Sequence, residues 1–177
     1  MSEIWDDLLH KPEQQIFLFL IVCAAVIAMA LGLQYFAGFE PCELCLKERY
    51  AYYAGIPLAI GASAAMSTAR PGLAAVLIGL AGVALLANAG LGLYHAGVEW
   101  HWWAGPSTCT GNGDDLAATG GDLLKSLQTQ NVVRCDQPAM KILGLSLAAW
   151  NMPIGLGLGA VAARAARLLM QPAAARS

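Results

Sequence analysis

Four apolar stretches without a single Asp, Glu, Lys or Arg constrain this chain more than anything else in it: Ile16 to Phe36, Tyr50 to Met66, Gly72 to Tyr94 and Ile142 to Ala163. Each is close to the roughly 20 residues that carry a helix across a bilayer. A segment in lipid must satisfy its own backbone N–H and C=O groups, so the stretches are expected to be helices rather than strands. The composition agrees, at 58% hydrophobic and only 12% charged residues, which is too apolar for an ordinary soluble domain. The expectation is an all-α integral membrane protein, residues 1–177 forming one four-helix transmembrane bundle. The second stretch is the shortest, and the charged residues before it extend its helix into the interface. A formal net charge of −2 leaves no electrostatic footprint for nucleic acid.

The first stretch reads as a membrane helix and not a cleaved signal peptide. Its flank carries Glu3, Asp6, Asp7 and Glu13 against Lys11 alone, whereas signal peptides open on a basic segment and have a shorter apolar core. Four spans put both termini on one side, with periplasmic-type loops at 37–49 and 95–141 on the other. The ten Lys and Arg residues divide evenly between the two sides. The terminal side exposes far fewer residues, however, and the tail adds Arg164, Arg167 and Arg176, so density places both termini in the cytoplasm.

Cysteine usage points the same way. Of the five cysteines, Cys23 lies within the first span and reads as a small apolar packing residue. Cys42, Cys45, Cys109 and Cys135 all fall in the two loops on one face. An even set of cysteines confined to one side marks that side as the oxidising compartment. In a bacterium this describes an inner-membrane protein whose loops face the periplasm.

The stretch "EPCELCLKERY" (residues 40–50) concentrates the chemistry. Pro41 disfavours helical geometry at Glu40, so the second helix is expected to start near Cys42. A Cys-x-x-Cys at a helix N-terminus has its thiolate favoured by unpaired N–H groups and the helix dipole. Arg49 follows Cys45 by four residues and shares its helical face, where it favours a thiolate or charge developing on a bound molecule. A zinc site is not expected: Cys109 and Cys135 stand 26 residues apart instead of forming a second close pair. A redox dithiol and a structural disulfide both remain open on the residues alone. The intervening "TGNGDDLAATGG" reads as a mobile turn-rich segment, and "DLLKSLQ" (122–128) as either a short surface helix or a loop turn. A disulfide that closes so loose a loop suits exchange with a soluble dithiol.

Taken together, "PCELC" with Arg49, "YHAGVEWHWWAGPSTC" and "RCDQPAMKILGLSLAAWN" resemble the DsbB family of bacterial quinone-linked disulfide-generating membrane proteins. The resemblance covers roughly residues 15 to 165. It implies that Cys42 and Cys45 are the membrane-edge pair that passes electrons to a quinone (ubiquinone or menaquinone), with Cys45 against the ring. It implies that Cys109 and Cys135 are the loop pair, with Cys109 forming the mixed disulfide with a periplasmic DsbA-like thiol oxidase and Cys135 then engaging Cys42. Arg49 matches the family's quinone-contacting arginine and His95 a histidine near the quinone head group. The chain departs from the pattern at Glu43, whose charge stands between the paired thiols, and in "QPAMKI", which lacks an aromatic residue.

Two other readings are distinguishable. A vitamin K epoxide reductase-like protein also packs four helices around a quinone, but there the Cys-x-x-Cys follows the loop pair instead of preceding it. A non-enzymatic four-span scaffold with stapled loops would hold disulfides that barely exchange. Trp100, Trp102 and Trp103 read as an interfacial aromatic belt. Gly155 and Gly159 read as a close helix contact, and Asn88 and Asn151 as an interhelical hydrogen bond.

Overall fold

The computed structural model describes residues 11–106 and 134–171. Cys109, the glycine-rich segment and the 122–128 stretch lie outside the described residues. Among the described residues, four long helices carry the structure: α1 (Pro12–Tyr35), α2 (Glu43–Ser67), α3 (Pro71–Glu99) and α4 (Leu147–Met170). α1, α3 and α4 are long and apolar enough to cross a membrane; α2 carries Glu43, Lys47, Glu48 and Arg49 in its first two turns and does not meet that standard.

Sequence punctuation explains the ends. Pro12 and Pro71 open α1 and α3, at positions where the missing N–H costs nothing. α2 and α3 are joined by only Thr68 to Arg70, which forces them antiparallel. The turn is closed by Arg70 N–H donating to Ala65 O at 2.9 Å, with Ala69 in the left-handed region (φ 56°). α4 starts at Leu147, five residues later than the apolar run begins. The reason lies in "KILGLS": Lys141–Ile142 (β1) and Leu145–Ser146 (β2) pair antiparallel around Leu143 and Gly144, both at positive φ (53° and 83°). Two central residues at positive φ define a tight hairpin turn. Ser146 then caps α4, its Oγ accepting from Ala149 N–H at 3.1 Å. At the other ends, α3 runs past Tyr94 to Glu99, so His95 belongs to the helix and not to the loop, and α4 continues to Met170.

The bundle's interior is built on small residues. Ala59, Ala62, Ala74, Ala81, Ala162 and Ala165 are buried in one cluster with Phe19, Tyr52, Ile78 and Leu85, and Cys23 is fully buried among them. α3 and α4 share the most extensive interface. A Cβ on Gly155 would stand 2.9 Å from Leu85 O, and one on Gly159 2.4 Å from Leu86 Cδ2. The expected close contact is therefore real, because only glycine lets the backbones approach so nearly. Large apolar side chains such as Phe17, Ile21, Val76, Val83 and Leu156 point outward instead. An apolar exterior around a small-residue interior is the packing a bilayer solvent favours.

Gly155→Val is expected to lower the thermal midpoint in detergent by separating α3 from α4, at about 1–3 kcal/mol. Gly157→Ala, where an added Cβ meets nothing within 4 Å, is expected to leave the midpoint unchanged or slightly raised.

Candidate functional site

Among the described residues, the chemistry collects at one end of the bundle, where α2 and α4 begin and α1 and α3 finish. Cys42 is the N-cap of α2: its backbone is extended, and its Sγ accepts from Cys45 N–H at 3.2 Å. Cys45 lies one residue short of a full turn further on. Both are free thiols, and their sulfurs touch at 2.7 Å. Cys42 is 4% exposed and packs with Leu44 and Cys135.

The two sulfurs of the pair have different neighbours. On Cys42's side, Sγ lies 3.7 Å from His95 Nε2. The Cys42, His95 and Cys135 ligand-type atoms all fall within 4.8 Å of one another. Such a trio has the makings of a metal site, but Cys135 is disulfide-bonded and has no thiolate to offer. Arg134 brackets that cysteine by donating twice to Asp136, at 2.9 and 2.6 Å; the guanidinium holds the Asp136 carboxyl below its ordinary range.

On Cys45's side lies a half-open cavity between α1, α2, α4 and the Phe39–Pro41 segment. The walls are largely apolar (Val26, Met29, Leu33, Met140, Leu147, Ile154), and Cys45, Glu48, Arg49, Tyr52 and Asn151 supply its polar groups. Arg49 reaches across to α1, donating to Gln34 Oε1 at 2.6 Å and Ala30 O at 3.4 Å. A cation there is favoured by the carbonyl end of α1. Arg49 therefore shares a face with Cys45, as the four-residue spacing requires.

His95 does not line this cavity. It is 2% exposed and stands behind α2, with Nδ1 at 2.8 Å from Glu48 Oε1 and Nε2 at 3.9 Å from Glu99 Oε1. A second polar cluster lies deeper. Tyr52 Oη donates to Asn151 Oδ1 at 2.5 Å, and Asn88 Nδ2 donates to the same oxygen at 3.3 Å. The expected Asn88–Asn151 bond is thus present, with Tyr52 as a partner that the apolar pattern hid. Asn151 Nδ2 is buried with no partner in hydrogen-bond geometry, although it lies near enough to feel the Glu48 carboxylate. Glu48 and Glu99 were legible only as flanking charges. The signal that could have found them is spacing, since Glu48 is three residues from Cys45 and Glu99 four from His95.

The electrostatics favour Cys42 as the anion of the pair. A hydrogen bond from the Cys45 thiol does most to pull the Cys42 thiol down to about 5; burial opposes this, and the His95 contact adds to it. Glu43 does not oppose the thiolate strongly, because its carboxylate pairs with Lys47 Nζ at 2.6 Å on the exposed side of α2.

A membrane-embedded helical bundle with a paired thiol, one sulfur beside a loop disulfide and the other at an apolar cavity, is a membrane thiol–disulfide oxidoreductase. The family model described as "Disulfide bond formation protein DsbB" matches residues 12–165. Disulfide bond formation protein B 1 of Pseudomonas fluorescens is 35% identical over 157 residues, covering 83% of this chain and 86% of that protein. Disulfide bond formation protein B of Methylococcus capsulatus is 33% identical (79% and 85% covered), and the B 1 protein of Pseudomonas putida 33% (81% and 83%). No solved structure matches significantly. The chain belongs to the DsbB family, and is a quinone-linked disulfide oxidoreductase of disulfide bond formation.

The ultraviolet thiolate absorbance of Cys42, taken as the difference from Cys42→Ser, is expected to appear as pH rises through about 5. Appearance only near the ordinary thiol value, about 8.5, would contradict the assigned environment.

Proposed function

We propose that this chain is a four-span inner-membrane protein with cytoplasmic termini. In this reading it reoxidises a periplasmic DsbA-like dithiol oxidase through Cys109, Cys135, Cys42 and Cys45 in that order. The observation that carries the reading is the placement of the α2 pair: Cys42 beside Cys135, Cys45 at the cavity. The DsbA–DsbB–quinone chain is the established means by which the bacterial periplasm is kept oxidising.

The exchange follows from sulfur chemistry. A thiolate of the partner attacks Cys109 of the Cys109–Cys135 disulfide and frees Cys135. Cys135 then attacks Cys42 of an oxidised Cys42–Cys45 pair, and Cys45 leaves as the free sulfur at the cavity. The partner's second thiol resolves the Cys109 mixed disulfide, and Cys109 displaces Cys42 from Cys135. The loop disulfide is restored and the α2 pair is left reduced. Cys42 suits its part, because a low thiol pKa makes it a good leaving group in that last step.

The cavity fits a quinone head group. Its apolar walls suit a lipid-soluble ring, Arg49 is placed to donate to a carbonyl oxygen, and the Asn151 amide beside Glu48 adds a buried polar group at its wall. A bound quinone supplies a two-electron sink for the reduced pair. Arg49 and Asn151 would orient it, and Cys45 would face it. In this reading His95, which meets Cys42 and is not among the residues lining the cavity, supports the site from behind the pair.

Cys109→Ser is expected to abolish oxidation of a reduced thioredoxin-like partner while leaving quinone binding intact; loss of both, or of neither, would overturn the division of labour. Arg49→Ala is expected to raise the Michaelis constant for quinone roughly tenfold or more, the loss of a charged hydrogen bond of about 1.5–3 kcal/mol. An unchanged quinone dependence would remove Arg49 from the site.

A further inference from the structure

Sulfur exchange and electron delivery leave one buried cluster unused. His95 lies between two carboxylates: Nδ1 is 2.8 Å from Glu48 Oε1, and Nε2 is 3.9 Å from Glu99 Oε1 and 3.7 Å from Cys42 Sγ. The side chains are 2%, 10% and 6% exposed for His95, Glu48 and Glu99. Isolated buried charges cost several kcal/mol each. Three acidic groups, Cys42, Glu48 and Glu99, thus face a single imidazole where water is scarce.

The other neighbours do not remove this imbalance. From α2, Arg49 is turned away to Gln34 and Ala30. From α4, Ser146 faces Glu99 and Asn151 faces Glu48, both neutral. Cys45 donates to Cys42, and Cys135 is in a disulfide. Glu99 Oε2 is buried, and the neutral Ser146 hydroxyl is its nearest polar neighbour on α4. Groups this close and this acidic cannot all ionise independently, and the protons they keep are shared.

The cluster also has direction. Glu48 touches His95 on one side and lines the cavity beside Cys45 on the other. Contacts therefore run without a break from Cys42 through His95 and Glu48 to the cavity wall. We propose that His95, Glu48 and Glu99 form a proton relay, which takes the proton of Cys42 and delivers it at the cavity through Glu48.

The relay balances the redox step. Oxidation of the reduced pair forms one S–S bond, breaks the Cys45 S–H bond and sends two electrons to the quinone. The quinone's two oxygens need two protons. One comes from the Cys45 thiol at the cavity. The other, already passed from Cys42 to His95, moves on to Glu48 and the cavity. Glu99, at an ion-pair distance of 3.9 Å from His95 Nε2, is the second carboxylate that balances a charged imidazole once Cys42 is tied up in a disulfide.

The inference rests on the cavity being the quinone site, and the tests separate the two. In quinone-free protein, His95→Gln is expected to raise the midpoint of the Cys42 thiolate titration by a unit or more, about a tenfold loss of thiolate below that midpoint. An unmoved midpoint in protein with unchanged circular dichroism removes His95 from the relay.

The second test mixes reduced full-length protein with a short-chain ubiquinone analogue and a pH-indicator dye. Unaltered protein should show no transient acidification. Glu48→Gln should release one proton per turnover before taking it back, and Glu48→Asp should suppress that release. Absence of the transient in Glu48→Gln overturns the route through Glu48. Analogue binding is followed by tryptophan quenching in the same samples. Binding that is absent, or indifferent to Arg49→Ala, defeats the cavity reading; intact binding with no transient defeats the relay alone.

Discussion

The hydrogen bond from Cys45 N–H to the sulfur of Cys42 is the contact on which the site depends. It makes Cys42 the N-cap of α2 and so keeps that residue outside the helix, while Cys45 sits within the first turn. Two residues so close in sequence would otherwise share an environment. Here their sulfurs touch, yet one meets Cys135 and His95 and the other meets an apolar cavity. A dithiol with two different sides can accept electrons from one direction and release them in another.

The antiparallel arrangement of α2 and α3 reinforces this asymmetry. The start of α2, with its unpaired N–H groups, favours a thiolate at Cys42, and the end of α3 favours a cation at His95. The three-residue turn at Thr68–Arg70 fixes that pairing from the opposite end of the bundle. Small residues at Gly82, Gly155 and Gly159 then draw α4 close to α3. That closeness brings Asn151 and Ser146 up to Tyr52, Asn88 and Glu99. The polar groups gather at one end because the apolar packing below leaves them no other place.

Much of this was legible in the sequence, and the parts that were not share a cause. Charge-free stretches announced the helices, since nothing else buries so many apolar residues without ionisable ones. Pro41 placed the start of α2 within one residue, and the four-residue spacing put Arg49 on the face of Cys45. The start of α4 was misjudged because Ile142 and Leu145 look like the helix that follows; the positive φ angles of Leu143 and Gly144 turn them into a hairpin. Pattern alone gave His95 to the loop, whereas α3 continues another turn and carries it behind Cys42. Tyr52, Glu48 and Glu99 acquire meaning only through helices distant in sequence. Tyr52 lies 99 residues from its partner Asn151, and no local periodicity encodes that.

The opposed facing of the two α2 sulfurs can be measured directly by visible absorbance. Protein with bound quinone is compared as Cys42→Ser, which keeps Cys45 alone, and as Cys45→Ser, which keeps Cys42 alone. The structure predicts a new thiolate-to-ring band at alkaline pH in the first protein and none in the second. A band that survives in Cys45→Ser and is lost in Cys42→Ser would show that the sulfurs face the other way.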